Sequence, residues 1–324
     1  MASYIIFTEA CIYDNEKTII FIQTKEPIRC INNINNTNTK KTYNCRVAMY
    51  INEQNYNHYA IIIYNNSKID NINIIIDNII FNNLKICYPF EDILPNITSD
   101  MNIISTLCKN YNHRLDEWIK YNINLGFDKI IIFNNEESYS HSLNEGNDYY
   151  EKMNVITDKY KDYVYVINFP YSALIGMHWN TIQMMSLGIT CTAFNKKCNF
   201  CAFIDADEFI YINNKTNIKT FLTDFNETLQ IGSNILTNKN DNDTINNNIL
   251  SLCNYIGEDK YKKLLMYMKN IPNIEGSNDI IKFLACPHNR PYSKYLNKNL
   301  IMIFHCWVNH RYKYCESQKY ISLI

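Results

Sequence analysis

Apolar and polar positions alternate in short runs through the first hundred residues of the chain. β-branched and aromatic residues dominate these runs, and clusters of Asn, Asp and Lys separate them, which is the pattern of strands joined by turns. The predicted strands cover residues 4–7, 18–23, 45–50, 59–64, 72–76 and 83–88. A polar segment with two prolines follows, so we predict a β-rich N-terminal region at residues 1–98 and a second domain at residues 99–324.

From Met101 onward, short apolar runs alternate with amphipathic segments. The predicted order is strand 102–108, helix 114–125, strand 129–133, helix 147–158, strand 163–169, helix 176–187 and strand 200–205. Such alternation is typical of a parallel sheet covered by helices. We therefore predict an α/β fold with a mostly parallel, Rossmann-like sheet.

The last third of the chain has a weaker pattern. Residues 213–250 are polar and rich in Asn, which favours an insertion with helical potential at residues 217–229. Residues 260–269 favour a helix, and residues 294–308 favour a further strand that contains His305.

Three acidic residues lie at the end of the predicted strand at residues 200–205. Asp205, Asp207 and Glu208 stand between two apolar runs, and an unpaired buried carboxylate is very unfavourable. Acids at the carboxyl end of a strand in an α/β fold lie where such folds bind ligands. An Asp-x-Asp pair there suits a hard divalent cation that carries phosphate oxygens.

Composition narrows the classes of function. A net charge of −1 argues against a nucleic-acid-binding protein, which needs a clustered basic surface. No apolar stretch reaches membrane-spanning length, and the N-terminal residues carry no basic segment of a signal peptide, so we expect no transmembrane segment and a cytoplasmic location. The 12 cysteines have irregular spacing, and the one close pair, Cys198 and Cys201, is interpreted as buried free thiols.

Two motif blocks resemble those of a known family. The first is Lys-Asn-Tyr-Asn-His-Arg-Leu-Asp-Glu-Trp-Ile-Lys-Tyr at residues 109–121, followed by Gly-Phe-Asp at 126–128 and Phe-Asn-Asn at 133–135. The second is Phe-Ile-Asp-Ala-Asp-Glu-Phe at residues 203–209. In this order they are similar to GT-A glycosyltransferases of the family-92 type, also called the domain-of-unknown-function 23 group, which is related to family 2. The resemblance implies a GT-A fold and transfer of a sugar from a nucleotide-sugar.

The resemblance implies a role for each site residue. Asp207 would be the main ligand of a divalent metal, Mn²⁺ or Mg²⁺, Asp205 would contact the ribose or a metal-bound water, and Glu208 would orient the site. The alternative is that these acids cap the following turn or pair with Lys or Arg. A late histidine, His305, would reach the metal or the diphosphate. Candidates for binding the nucleotide-sugar donor are the residues that follow the first two predicted strands, Asn110, Asn135 and Glu136.

The sequence departs from the family pattern at three positions near the donor pocket, which are Tyr111, Asn122 and Asn134. Within the matching blocks, Trp118 and Tyr121 have the helical spacing of core residues. Gln183 fits a family position before the metal strand. An inverting transfer also needs a general base, and the sequence does not choose among Glu258, Asp259, Glu275 and Asp279. Arg290 and Lys294 are candidates for neutralising the diphosphate.

The expected reaction is therefore metal-dependent transfer from a UDP-sugar, with UDP-galactose as the candidate donor, to a glycan or glycoprotein acceptor. Two alternatives stay open. A haloacid-dehalogenase-like phosphatase also places Asp-x-Asp after an apolar strand, although Phe209 stands where that class has Thr or Val. A catalytically degenerate glycan-binding protein would keep the fold without turnover.

Overall fold

A computed structural model describes residues 4–14, 16–53, 56–109, 111–136, 152–214, 216–237, 255–271, 293–306 and 319–320. The strands within these ranges are β1 (Tyr4–Asp14), β2 (Lys17–Thr24), β3 (Ile31–Asn36), β4 (Asn44–Glu53), β5 (Tyr56–Tyr64), β6 (Asn71–Ile76), β7 (Ile79–Lys85), β8 (Asn102–Cys108), β9 (Lys129–Asn134), β10 (Val164–Asn168), β11 (Phe200–Phe203), β12 (Glu208–Ile212), β13 (Leu229–Thr237), β14 (Tyr255–Tyr267), β15 (Lys294–Tyr295), β16 (Ile301–Cys306) and β17 (Lys319–Tyr320).

The helices of the same ranges are α1 (Asn112–Leu125), α2 (Met153–Thr157), α3 (Asn180–Ala193) and α4 (Ile218–Leu222). Short 3-10 turns lie at Pro89–Glu91, Leu94–Asn96, Asp158–Tyr160 and Met268–Asn270. Gly126 ends α1 with a φ of 104°, where its N–H bonds back to the carbonyls of Asn122 and Ile123. The left-handed conformation is the usual one after a helix that ends at glycine, as the sequence indicates.

Strands β1–β7 form two antiparallel sheets. One has the order β1-β2-β5-β4 and the other the order β3-β6-β7. Isoleucines from facing sides, such as Ile20 and Ile61 of the first sheet and Ile72 and Ile74 of the second, share one apolar cluster. The β-rich pattern of this region is confirmed, with β3 as an additional strand. The hairpin between β6 and β7 turns at Asp77 and Asn78, which both have positive φ, as a two-residue type I′ turn requires.

Ten strands form the largest sheet, with the order β10-β9-β8-β11-β14-β13-β16-β12 and with β15 and β17 paired to β13 and β14. The first four strands of that order are mutually parallel. From β14 onward the pairing is mixed, because β14 is antiparallel to both β11 and β13, and β16 is parallel to β13 but antiparallel to β12. The sheet curls into a half-barrel.

The predicted GT-A fold with a mostly parallel, Rossmann-like sheet is therefore wrong. The described chain is strand-rich, with mixed and antiparallel sheets. Two local predictions account for the error: residues 260–269, expected as a helix, belong to strand β14 and the following 3-10 turn, and residues 213–250, expected as an insertion, contain β13. These two strands pair with each other in antiparallel register, which turns the sheet away from a parallel arrangement.

Other predicted helices and strands are present, some of them with different bounds. The predicted strand at residues 102–108 matches β8, and α1 begins two residues before its predicted start. The described part of the predicted helix at residues 147–158 is α2, and residues 147–151 lie outside the described ranges. The helix predicted at residues 217–229 is reduced to α4. The boundary between residues 98 and 99 stays a prediction.

Apolar side chains cover both faces of the large sheet. On one face, Leu115, Trp118 and Ile119 of α1 pack against Ile104 and Ile130. On the other face, α3 and the sheet that contains β1 and β2 share one cluster with alternate residues of β8. Cys198 and Cys201 are free, buried thiols, as the sequence indicates. Within the described residues, no helix has the length and apolarity to cross a membrane.

Candidate active site

The acidic residues lie in a tight turn between β11 and β12. Asp205 and Glu208 close the turn twice: the Glu208 N–H donates to the Asp205 carbonyl at 3.0 Å, and the Asp205 N–H donates to Glu208 Oε2 at 2.8 Å. The first bond is the one that defines a hydrogen-bonded β-turn. We call residues 205–208 the acidic turn. Its geometry fixes Glu208 inward and leaves Asp207 at the tip.

Parallel pairing places this turn beside the ends of neighbouring strands. Phe203 is in register with Ser105 of β8, and Cys108 at the end of β8 is in register with Asn134 at the end of β9. The carboxyl ends of parallel strands meet at one edge of a sheet, where α/β proteins commonly bind ligands. Residues 109, 135–136 and 205–208 therefore share one edge.

Helix α1 anchors the strand that follows the acidic turn. β12 is the outermost strand on its side of the described sheet, so its outward carbonyls need partners. The Trp118 Nε1–H donates to the Glu208 carbonyl at 2.9 Å, and the Tyr121 hydroxyl donates to the Ile210 carbonyl at 2.7 Å. Two side chains that are three residues apart on α1 thus donate to carbonyls that are two residues apart on β12. Trp118 is fully buried, as predicted for a core residue.

His305 reaches the acidic turn through strand pairing. It lies directly opposite Glu208 in the antiparallel pair of β16 and β12, and the neighbouring Cys306 N–H donates to the Asp207 carbonyl at 2.9 Å. His305 Nε2 lies 3.4 Å from Asp207 Oδ2, and Nδ1 lies 4.0 Å from Glu208 Oε1. The imidazole is 14% exposed and the Asp207 side chain 20% exposed, so solvent reaches both groups.

Lys263 is the residue of this site that the sequence interpretation missed. Its Nζ donates to Asp205 Oδ2 at 2.8 Å and lies 3.1 Å from Glu208 Oε2. Only 3% of Lys263 is exposed. Burial alone would lower the pKa of this amine, but the carboxylates of Asp205 and Glu208 outweigh burial and raise it. Lys263 is therefore a charged side chain held inside the protein by two acids.

Glu208 is the most deeply buried acid of the turn, with 1% of the residue exposed. Burial raises the pKa of its carboxyl to about 7, and the nearby charges of Asp205 and Asp207 act in the same direction. Lys263 and His305 act against that shift. The side chain bonds the backbone of the turn, which fits the orienting role that the resemblance implies.

Asp205 has two described side-chain partners. Lys263 contacts Oδ2, and the Gln183 Nε2–H donates to Oδ1. Gln183 lies on α3, so the family position before the metal strand does face the acidic turn. Asp207 differs, because no lysine or arginine of the described residues pairs with it. Asp207 is consequently the acid of the turn best placed to bind an external cation.

The predicted donor-binding residues have different surroundings. Asn135 is fully buried, where its Nδ2 group donates to the carbonyls of Phe169 and Tyr171 and its Oδ1 accepts from Trp179. Its amide joins the end of β9 to the segment after β10. Glu136 is half-buried and accepts a hydrogen bond from Asn112 at the start of α1. Asn110 lies outside the described residues.

Tyr111, one of the departures from the family pattern, packs at the start of α1 near Asp207. Burial raises the pKa of its phenol, and the charge of Asp207 adds to that shift while Arg114 opposes it. Arg114 is itself buried, with one guanidinium nitrogen 3.5 Å from Glu117. The Tyr111 phenol thus lies near the tip of the acidic turn, with Arg114 close to it.

The structure does not choose among the remaining candidates for the general base or for neutralising the diphosphate. Among those for the general base, Glu258 and Asp259 belong to β14, where the structure describes their backbone, and Glu275 and Asp279 lie outside the described residues. Arg290 also lies outside them. Lys294 is exposed on β15 and pairs with Glu227 at 3.3 Å.

The side chains of the acidic turn are compatible with one divalent cation. Within the described ranges, no group of three or more His, Cys, Asp or Glu side chains has the arrangement of a metal site. Asp207 and His305 nevertheless supply one carboxylate and one imidazole within 3.4 Å of each other. Those two donors would be able to hold Mn²⁺, whose other ligands would come from phosphate oxygens and water.

Comparisons with known proteins give no match: no protein-family model fits the chain, and no curated protein is significantly similar to it.

Proposed function

We propose that the chain is a metal-dependent glycosyltransferase that moves a sugar from a UDP-sugar to a glycan or glycoprotein acceptor with inversion. The observation that supports this most directly is the pair of Asp207 and His305, partly exposed to solvent at the edge where β8, β9 and β11 end. The two motif blocks at residues 109–135 and 203–209 supply the reaction class. The proposal rests on the chemistry of the site and does not include the GT-A fold, because the large sheet is mixed. The cytoplasmic location stays a prediction.

Departure of a nucleoside diphosphate builds negative charge that must be stabilised in the transition state. A divalent cation, when bound, supplies that stabilisation and orients the donor. Asp207 and His305 would hold the cation, and Glu208 would keep the turn in shape through its bond to the Asp205 N–H. Glu136, beside the start of α1, is the described candidate for contact with the nucleoside.

A thermal-shift panel tests this function. UDP-, GDP- and CMP-sugars, UDP-galactose among them, are added with and without Mn²⁺, because a ligand of the native state raises the unfolding midpoint by mass action. We expect a shift that needs both Mn²⁺ and a UDP-sugar, together with slow release of free sugar into water. The shift should vanish in Asp207→Asn and persist in Asp224→Asn, which removes the same charge from an exposed loop.

The alternatives give different results in the same panel. A degenerate glycan-binding protein would show no shift with any nucleotide-sugar and no hydrolysis of the donor. A phosphatase would hydrolyse a generic phosphate ester with Mg²⁺ and ignore the sugar. Either result would overturn the proposed transferase.

A further inference from the structure

Strand β14 carries two adjacent lysines with opposite surroundings. Lys263 points into the acidic turn, where it contacts Asp205 and Glu208 and is almost completely buried. Lys262 is half-buried, with its Nζ 4.8 Å from the centroid of the Tyr295 ring. Neighbouring side chains of a strand point to opposite faces, so only one of the two ammonium groups can serve the turn.

We propose that Lys263 is the built-in cation of the acidic turn and a positioning residue for the metal site. Its ammonium occupies the carboxylates of Asp205 and Glu208, which leaves Asp207, with His305, as the protein ligand for an external divalent cation. This inference rests on the proposed function for the identity of that cation. It adds a residue that neither motif block contains.

The distances support this division of the acids. An ammonium that is 2.8 Å from Asp205 Oδ2 and 3.1 Å from Glu208 Oε2 satisfies one oxygen of each carboxylate. Asp205 Oδ1 accepts from Gln183, so both oxygens of that acid are engaged. A metal ion that took Asp205 as a direct ligand would have to share an oxygen with Lys263 or Gln183, and sharing Oδ2 would place the metal against the Lys263 ammonium. An ammonium in place also repels a second cation from the inner side of the turn.

The consequence is a preference among metals. A site with two or three free carboxylates suits Mg²⁺ and Ca²⁺, which favour oxygen ligands. One carboxylate with one imidazole favours Mn²⁺, which accepts nitrogen more readily. Lys263 would thus favour binding of Mn²⁺ at this site without coordinating the metal itself.

The test measures Mn²⁺ affinity directly, by electron paramagnetic resonance of free Mn²⁺ during titration of the full chain without nucleotide. Lys263→Met keeps an unbranched side chain of similar length but removes the ammonium from Asp205 Oδ2, and with it the repelling charge. We expect it to bind Mn²⁺ roughly tenfold tighter than the wild type or more, from the loss of one nearby positive charge. Lys262→Met is the matched control and should leave the affinity unchanged. A role for Lys263 in packing alone would not raise metal affinity.

A second variant covers the case in which Lys263→Met does not fold. Lys263→Met combined with Glu208→Gln removes both partners of the fully buried Lys263–Glu208 ion pair, which is tolerated better than removal of one partner. It also leaves Asp205 without its ammonium, so tighter Mn²⁺ binding is again expected. Unchanged or weaker Mn²⁺ binding in a folded variant would overturn the inference, as would absence of Mn²⁺ binding in every variant.

The Mn²⁺-binding result for Lys263 can be distinguished from the nucleotide-sugar result for the proposed function. If the UDP-sugar shift requires Mn²⁺ but the lysine variants bind Mn²⁺ like the wild type, the transferase stands and the role of Lys263 falls. If Lys263→Met gains Mn²⁺ affinity while no nucleotide-sugar shifts the protein, the role of Lys263 stands and the transferase falls.

Discussion

The acidic turn and the Gln23–His58 pair of the N-terminal sheet both place polar side chains in apolar surroundings, but they differ in charge. In the acidic turn, buried Lys263 stays charged because two carboxylates surround it. In the pair, Gln23 and His58 are fully buried and joined by a 2.7 Å hydrogen bond between their Nε2 atoms. Burial lowers the pKa of His58 to about 3, so that imidazole stays neutral.

The two regions also differ in how completely their polar atoms are satisfied. His58 Nδ1, Gln23 Oε1 and the nearby Asn57 Oδ1 have no hydrogen-bond partner among the described residues. In the acidic turn, the side chains of Asp205 and Glu208 have partners, and Asp207 at the tip is partly exposed to solvent. A charged cluster with an exposed acid can recruit a cation, whereas a closed neutral pair can only respond to acid.

The largest effect is expected for Asp207→Ala. The variant removes the acid that has no lysine or arginine partner in the described structure, so we expect Mn²⁺-dependent turnover of a UDP-sugar to fall by about a thousandfold or more. The unfolding midpoint should change little, because the side chain is partly exposed. Turnover is measured with the donor that the thermal-shift panel identifies. Asp224→Ala is the control, and retained turnover with Mn²⁺ in Asp207→Ala would contradict the metal assignment.

Next in size is the loss of stability in Lys263→Met. Removing one partner of a buried ion pair leaves uncompensated charge, which typically lowers the free energy of unfolding by about 3–5 kcal/mol. Urea unfolding at neutral pH gives the value, and Lys262→Met is expected to lose less than about 1 kcal/mol because its side chain is half-buried. Equal losses in both variants would show that the ion pairs of Lys263 are dispensable.

The neutral pair gives a pH dependence of its own. In the unfolded chain His58 takes up a proton below pH 6.5, whereas the folded chain resists it down to about pH 3. Its contribution to stability is therefore intact above pH 6.5 and is lost progressively as the pH falls from 6.5 to 3, by about 1.4 kcal/mol per pH unit.

Urea unfolding of the wild type and of His58→Gln at pH 8 and pH 5 measures this contribution. The wild type should lose about 2 kcal/mol more than the variant between the two pH values. The comparison uses the change with pH within each protein, so the absolute stability of the variant does not matter. Equal losses in the two proteins would mean that His58 is not the buried group that acid protonates.

The residue pattern alone indicated the acidic turn, whereas His305 and Gln183 beside it were named only through the resemblance, and the reason is the range of the interactions. A short apolar strand that ends in Asp205 and Asp207 is a local pattern, and so is the helix that contains Trp118. The position of His305 opposite Glu208 depends on pairing between strands that are almost a hundred residues apart. Nothing near either residue in the sequence encodes that register.

Lys263 was missed for a related reason. Residues 260–269 mix lysines with Leu264, Leu265 and Met266, a short pattern that a helix and a strand can both produce. The run of three apolar residues fits a strand covered on both faces, and β14 is such a strand, with Leu264 and Leu265 in different apolar clusters. Pairing with β11 and β13 decided the outcome, and with it the mixed sheet that replaced the predicted parallel one.

The smallest effect is expected for Tyr121→Phe, which separates anchoring of the acidic turn from its charge. The variant removes the 2.7 Å hydrogen bond to the Ile210 carbonyl on the outer edge of β12 and keeps the ring against Phe209. A single neutral hydrogen bond of this kind contributes about 1 kcal/mol, so the unfolding free energy should fall by that amount. Because the acids and Lys263 are untouched, Mn²⁺ affinity should stay that of the wild type. A clear loss of Mn²⁺ affinity in Tyr121→Phe would show that the edge of β12, and not the charges alone, keeps Asp207 and His305 in position.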